Sequence, residues 1–288
     1  MAKLIIFDTE TTGLGNRDRI IQVGAIVVDL HDKEYIEVHD ELCSSDVQIS
    51  SEAMAIHGIK QVDIEDKPKY KDTKFKKALD VYNNKENYLI AHNLTFDKRM
   101  VEKEGFVSKY NLIDTYQCSI HLFETGSTIN NRIVENNKLQ TFREIFFSEE
   151  EETNEADKYG VKIKAHDAIG DVVILKMFFK KIYSATARKY NLELSDSDSI
   201  LTKLVTLTDE PALLKFMPYG KWKGIEFLDI ERNTSLNSRG HPEGPSYLDW
   251  MLEGQKDKNS KYFNKNIFYT IQTIVDNRNI HNSITSDG

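Results

Sequence analysis

Ile5-Ile6-Phe7-Asp8-Thr9-Glu10-Thr11-Thr12-Gly13-Leu14 is the stretch from which the fold is read. An apolar run of strand type ends on two acids separated by one residue. Residues i and i+2 of a strand project from the same face, so Asp8 and Glu10 aim at one point while Thr9 faces away. Two carboxylates this close repel unless a cation lies between them, and hard oxygen donors suit Mg2+ or Mn2+. Asp-x-Glu occurs four times, at 8 and 10, 32 and 34, 63 and 65, and 229 and 231. Only the first pair follows an apolar run and precedes a small-residue loop. Taken alone, that pair reads equally as two strand-end charges in solvent.

Working outward, Lys3 to Asp8, Arg19 to Asp29 and Glu34 to Cys43 read as an antiparallel meander. Phe75 to Tyr82 is helical, Asn87 to His92 a short strand, and Thr95 to Glu104 a helix stopped by Gly105. Thr115 to Phe123, Lys138 to Phe147 and Asp167 to Tyr190 are further helices. The expected class is α/β, a mixed β-sheet flanked by helices. Ser148 to Glu155, crowded with Glu, reads as an exposed, mobile loop. Residues 1–190 form the expected first domain, 191–206 a linker around Ser195-Asp-Ser-Asp-Ser199, and 207–276 a small C-terminal module. Residues 277–288 are polar and read as a flexible tail.

The 288 residues are 40% hydrophobic and 29% charged, the composition of a globular chain rather than a disordered one. The longest apolar candidate, Ile20 to Val28, is interrupted by Gln22 and falls short of a membrane span. The N-terminus meets an acid too early for a secretory signal, so the expected location is cytoplasmic, with no membrane partner. Cys43 and Cys118 are too few for a disulfide framework. A net charge of -8 argues against coating nucleic acid through a broad basic surface. It leaves room for an enzyme that meets phosphates locally through bound cations.

Asp97 lies in Ala91-His92-Asn93-Leu94-Thr95-Phe96-Asp97, where an acid in the first helical turn suits the helix dipole with or without chemistry. His166 and Asp171 lie in His166-Asp167-Ala168-Ile169-Gly170-Asp171. Five positions along one helix are about 140° apart, so the two converge only if Asp167 caps the helix and His166 precedes it. A histidine at a helix start is otherwise a solvated or structural residue.

In this order and separation, the three motifs resemble the DEDD-type 3′-5′ exonucleases of the histidine-containing, DnaQ-like subclass. Arg19-Ile20-Ile21-Gln22-Val23-Gly24-Ala25 matches the second strand of that family, and Leu139-Gln140 the helix before its third motif. The resemblance covers roughly residues 1 to 185 and implies a ribonuclease H-like fold. It implies that Asp8, Glu10, Asp97 and Asp171 hold two Mg2+ or Mn2+ ions and that His166 is the general base. The chemistry agrees. Phosphodiester hydrolysis needs an activated water and neutralisation of charge on attacking and leaving oxygens, which two cations held by several carboxylates supply. A histidine neutral near pH 7 suits the removal of a proton from water. Glu10 would touch the ion that holds this water, and Asp167 is expected as a cap rather than a ligand.

The same resemblance places the terminal nucleotide on the backbone of Thr11, Gly13 and Leu14, with Leu14 either wedged against its base or packing its own loop. His57, in Met54-Ala55-Ile56-His57-Gly58-Ile59, and Asn93 become candidate phosphate or sugar contacts. The expected substrate is nucleic acid with a free 3′ end, DNA first. RNA trimming is the alternative, since nothing in the chain reads a 2′-hydroxyl. A non-catalytic adaptor ranks below both, because all five catalytic positions are present.

Beyond residue 207, Leu207 to Leu214, Met217-Pro218-Tyr219-Gly220-Lys221-Trp222-Lys223-Gly224, Tyr247 to Met251 and Phe268 to Ile271 resemble the C-terminal extension of the exodeoxyribonuclease X group. The turn at 219–224 offers two aromatics and two cations, suited to stacking on single-stranded bases. Equally, it is a hairpin whose rings pack on Trp250 and Tyr247. Arg232 to Pro245 interposes a long polar stretch. Gln117 to Phe123 resembles a sliding-clamp-binding peptide, but Ile120 and Phe123 are expected to face a core, so no clamp partner is expected.

Overall fold

A computed structural model describes residues 2–32, 36–163, 167–260 and 262–286, with side chains described as far as residue 281. The chain divides into two compact units. The first comprises Met1–Leu122, Ile129–Arg132 and Asn137–Thr208; the second comprises Phe123–Thr128, Ile133–Asn136 and Asp209–Gly288.

In the first unit, β1 (Lys3–Thr11), β2 (Ile20–Asp29) and β3 (Ile36–Leu42) form the expected antiparallel meander. Helices α1 (Ser51–His57), α2 (Gln61–Ile64) and α3 (Lys74–Val81) follow. The chain re-enters the sheet as β4 (Tyr88–Ala91), parallel to β1, and crosses over through α4 (Leu94–Lys103) to β5 (Asn111–Asp114), parallel to β4. The strand order is β3-β2-β1-β4-β5, a mixed five-stranded sheet. β1 and β2 are central and read as near-continuous apolar runs, whereas edge strand β3 carries alternating Glu37, His39 and Glu41.

Then come α5 (Thr115–Leu122), a two-stranded ladder of β6 (Thr128–Ile129) and β7 (Arg132–Ile133), and α6 (Leu139–Phe146). Helices α7 (Glu149–Asp157), α8 (Ala168–Tyr190) and α9 (Ser197–Asp209) complete the series. One face of the sheet contributes Ile5, Phe7, Val23, Ala25 and Val27 to a core shared with Phe75, Leu79, Met100 and Val101 of α3 and α4. Long α8 packs across β1 and β2, and its Phe178 stacks on Phe142 of α6 with ring centroids 4.4 Å apart.

Gly24 is what permits that packing. A β-carbon there would lie 2.3 Å from the carbonyl carbon of Ala168 and 2.4 Å from the nitrogen of Ile169. The first turn of α8 therefore rests directly on β2, opposite Asp8 in the ladder. Any side chain at 24 would lift it.

In the second unit, α10 (Phe227–Glu231), α11 (Glu243–Gly254) and α12 (Lys265–Ser286) enclose Phe227, Ile230, Leu248, Met251, Ile267 and Ile271.

Three expectations are corrected. Ser148 to Glu155 is no loop: the Ser148 hydroxyl accepts the Glu151 N–H at 3.3 Å and the Glu151 carboxylate accepts the Ser148 N–H at 2.9 Å, a capping box that starts α7. Glu152 and Glu155 are buried there, paired with Arg143 and with Lys158 and Lys176. The expected linker holds α9, whose Ile200, Leu201, Leu204 and Leu207 are buried; Asp196, in the Ser-Asp run, accepts the Ser199 N–H at its start. The expected tail is helical through Ser286, anchored where Arg278 forks onto Asp249 and pairs with Glu231 at 2.8 Å. Among the described residues, no helix is long and apolar enough to cross a membrane.

Candidate active site

Cross-strand neighbours share a face, so Asp8 and Glu10 lie on the face of β1 that looks toward α8, with Gly24 and Gln22 opposite them. Thr9 points to the other face, where the β1–β4 ladder has stopped at Ile6. Its N–H and hydroxyl both donate to Oδ1 of Asp97, at 3.0 and 2.7 Å. The residue expected to face away from the site is the one that holds Asp97 in it. A hydroxyl placed between two acids was the available signal.

Asp171 comes from the first turn of α8. Gln140 of α6 donates its amide to Asp171 Oδ1 at 3.0 Å and accepts from Arg143 at 3.4 Å, and Arg143 in turn grips Glu152 of α7. A chain of polar groups thus runs from the acidic helix to Asp171. Gln22 fixes the start of α8 from below: its amide nitrogen donates to Asp167 at 2.8 Å and to Asp40 at 3.2 Å, and its oxygen accepts the Ala168 N–H at 3.4 Å. Asp167 occupies the N-cap position, but its side chain does not cap the helix. It is held by Gln22, which corrects the expected role and adds a fifth carboxylate beside the site.

The four acids act on one another. Burial, then Asp97, Glu10 and Asp171, push Asp8 well above the ordinary carboxylate range. Burial, then Asp171, Asp97 and Asp167, push Glu10 up to about 8. Burial raises Asp97 to about 7 against the opposing hydrogen bonds from Thr9. The charges felt by Asp8 and Glu10 are thus other carboxylates, a negative cluster awaiting a counter-charge. Among the described residues, no three or more His, Cys, Asp or Glu side chains are gathered as a finished cation cage. The donor set, all oxygen and crowded with like charge, nonetheless fits a hard divalent cation. His166 lies outside the described residues.

The expected substrate contacts are distributed as follows. The Thr11 hydroxyl donates to the Gly13 carbonyl at 2.8 Å, and the Thr12 N–H is engaged by the Arg19 carbonyl. The turn is tied by Asp18, which accepts from the Thr12 hydroxyl at 2.8 Å and whose carboxylate lies 2.9 Å from where a β-carbon at Gly13 would stand. Arg99 and Lys103 donate to the carbonyls of Leu14 and Gly15, and the Leu14 side chain stands 74% exposed. It does not pack into its own loop. His57 Nε2 donates to the Thr11 carbonyl at 3.3 Å while Nδ1 accepts from Ile59, so His57 abuts the end of β1.

Asn93 takes a left-handed conformation, φ 71°, that turns its N–H onto Asp114 at 3.0 Å and leaves its side chain exposed. Asp114 was not foreseen. It also accepts the N–H groups of Tyr116 and Gln117, so one carboxylate serves the starts of both α4 and α5. His92 is structural: Nε2 donates to the Asn137 carbonyl at 2.9 Å, and burial lowers its pKa to about 4. Gln117 and Phe123, the ends of the clamp-like peptide, are both buried.

Comparison with known proteins follows this geometry. The exonuclease family model, of the RNase T type, matches residues 5–179. Exodeoxyribonuclease 10 of Escherichia coli (strain K12) is 36% identical over 250 residues, covering 86% of this chain and 90% of the relative. The DNA polymerase III epsilon subunit of Buchnera aphidicola subsp. Schizaphis graminum is 32% identical over 137 residues, 42% of this chain and 57% of the relative. The zinc-bound structure of the E. coli exonuclease I complex with single-stranded DNA superposes with a TM-score of 0.51 at 17% identity. That likeness covers 66% of this chain and 42% of the other, and it is one of fold.

Proposed function

The chain belongs to the exonuclease family, and from that premise we propose that it removes nucleoside monophosphates from free 3′ ends of DNA. The observation that carries this reading is the acid set: Asp8 and Glu10 from one strand, Asp97 drawn in by Thr9, and Asp171 drawn in by Gln140. In this reading Asp8, Glu10, Asp97 and Asp171 hold two divalent ions, Mg2+ or Mn2+. When bound, such ions lower the pKa of water and neutralise charge on the transferring phosphoryl group.

The chain's own residues do the rest. Thr9 and Gln140 each donate to one oxygen of a site carboxylate and so fix its orientation. The exposed Leu14 meets the terminal base, and His57 and the free side chain of Asn93 line its sugar and phosphate. His166, by its place in the motif before Asp171, takes the proton from the attacking water. DNA is the proposed substrate, in keeping with the name of the relative matched along most of the chain. Both cysteines are buried thiols outside any disulfide, which suits a reducing compartment, and the cytoplasm is the proposed setting.

The test uses 5′-labelled DNA and RNA oligonucleotides with free or blocked 3′ ends, with Mg2+, Mn2+ or chelator. Shortening from the free 3′ end of DNA, abolished by chelator and by Asp8→Ala or His166→Ala, is expected. Faster trimming of RNA overturns the DNA assignment; products that shorten from the labelled end overturn the polarity.

A further inference from the structure

Exposed aromatic rings are unevenly placed. Among the described residues, Tyr219, Trp250, Tyr262 and Tyr269 in the second unit stand exposed, against Tyr116 in the first. Two of these share one surface. Gly220, at φ 78°, brings the turn after Met217 so close to α11 that a β-carbon on it would lie 2.7 Å from the Tyr247 hydroxyl. Tyr219 immediately precedes Gly220 in that turn. The Tyr247 ring meets that of Trp250, one turn along α11, at 5.6 Å between centroids and 44° between planes. The result is a strip of three rings, Tyr219, Tyr247 and Trp250.

Tyr247 and Trp222 pack on the core of the unit. The ends of the strip stay open to solvent: Tyr219 is 44% and Trp250 69% exposed. A tryptophan so exposed, on a helix whose other face is filled by Leu248, Met251 and Leu252, gains nothing from the core it decorates.

We propose that the Tyr219–Tyr247–Trp250 strip is a stacking platform for single-stranded nucleic acid. The proposal rests on the exonuclease reading only in taking nucleic acid as the occupant. Charge supports that choice over an apolar protein partner. Two of the neighbouring acids are paired within the unit, Glu243 with Lys221 and Asp249 with Arg278, which also pairs with Glu231. Lys223, on the same turn, is exposed and makes no ion pair among the described residues, so it is available to a phosphate. Rings that present a face to solvent beside a spare cation match what an unpaired base and its phosphate offer.

The experiment measures affinity of the full-length protein for a fluorescent oligothymidylate of about 16 nucleotides, in chelator so that nothing is cut. The double variant Tyr219→Ala/Trp250→Ala is expected to bind about tenfold to a hundredfold more weakly. Tyr219→Phe/Trp250→Phe, which keeps both ring faces, is expected to stay within about threefold of wild type. Oligothymidylate should quench tryptophan emission in wild type, and Trp250→Phe should lose most of that quenching while still binding.

Alanine variants that remain folded by circular dichroism and bind as wild type overturn the proposal. So does absence of quenching on saturation. A change in sedimentation with unchanged DNA affinity assigns the strip to self-association and equally overturns it. Because these readouts involve no cleavage, failure of the platform is distinguishable from failure of the exonuclease reading, which the laddering assay decides.

Discussion

Gly24 and Ala168, 144 positions apart by their numbers, meet so closely that the first turn of α8 rests on bare backbone of β2. This contact brings Asp171 to Asp8. Gly24→Ala forces a β-carbon into the Ala168 carbonyl, and the helix start must lift. The expected cost is about 1–3 kcal/mol of stability, with hydrolysis reduced about a hundredfold or more because the acids separate. Urea unfolding and an oligonucleotide assay measure the two effects on one preparation. Unchanged activity in the alanine variant refutes the contact's role.

Thr9→Val keeps the shape of the side chain and removes the hydroxyl that donates to Asp97. Asp97 then keeps the Thr9 N–H but loses the stronger hydroxyl contact. Turnover at saturating Mg2+ is expected to fall about tenfold, while Thr9→Ser, which restores the donor, stays within about threefold of wild type. Equal loss in both variants points to packing instead of the hydrogen bond.

Gln140→Ala leaves one oxygen of Asp171 without its donor. The expected signature is a rightward shift of about tenfold to a hundredfold in the Mg2+ concentration that half-activates hydrolysis. Arg143→Ala, one bond further out, should shift it less. A Gln140→Ala curve that lowers only the plateau contradicts the assignment.

Glu155 ties α7 to α8. Burial alone would raise its pKa, but hydrogen bonds from Lys158 and Lys176 outweigh it and hold the carboxyl down at about 2. A carboxyl depressed on folding contributes stability above its unfolded pKa and loses it as pH falls toward the folded value. Between about pH 4.5 and pH 2 the unfolded chain takes up the proton first, so stability falls with pH. Glu155→Gln is expected to cost about 2 kcal/mol at pH 7 after screening and to flatten that acid limb of the stability curve.

The crowded carboxylates should respond to cations by unfolding later. Mg2+ or Mn2+ at about 100 times its dissociation constant is expected to add about 2.7 kcal/mol, reversed by chelator and not reproduced by NaCl of equal ionic strength. Asp8→Asn should blunt the increment. A melting curve indifferent to divalent ions refutes the site as a cation binder.

Much of this architecture was legible because burial leaves a period in the chain. The five helices and strands expected between Phe75 and Phe147 lie within about two residues of the observed ones, since each is a strong apolar pattern closed by a turn signal. The four-residue strand β5 carries too little pattern to stand out. Helices α7 and α9 are hidden in the sequence for a different reason. Their first turns are acidic or serine-rich and look like loop, although such residues suit a helix start and Ser148 and Glu151 form a reciprocal cap.

At the site, the acids could be listed from the motifs, but their supports could not. Thr9, Gln22 and Asp114 act through contacts 88, 145 and 21 positions away, and no local spacing encodes these. Leu139-Gln140 was noticed as a motif, yet its hydrogen bond to Asp171 appears only once α6 lies against α8.

The reach of those contacts has a consequence for how the protein is made. Asp8 and Glu10 are made before any strand after β1, whereas Asp171 follows every strand of the sheet. Until α8 seats on Gly24, the nascent chain carries an incomplete acid set. The acid set is thereby completed only when the first unit is nearly finished. Chains stalled before residue 171 should be inert debris rather than stray cutting activity, and a puromycin-released fragment ending near residue 160 is the direct way to see it.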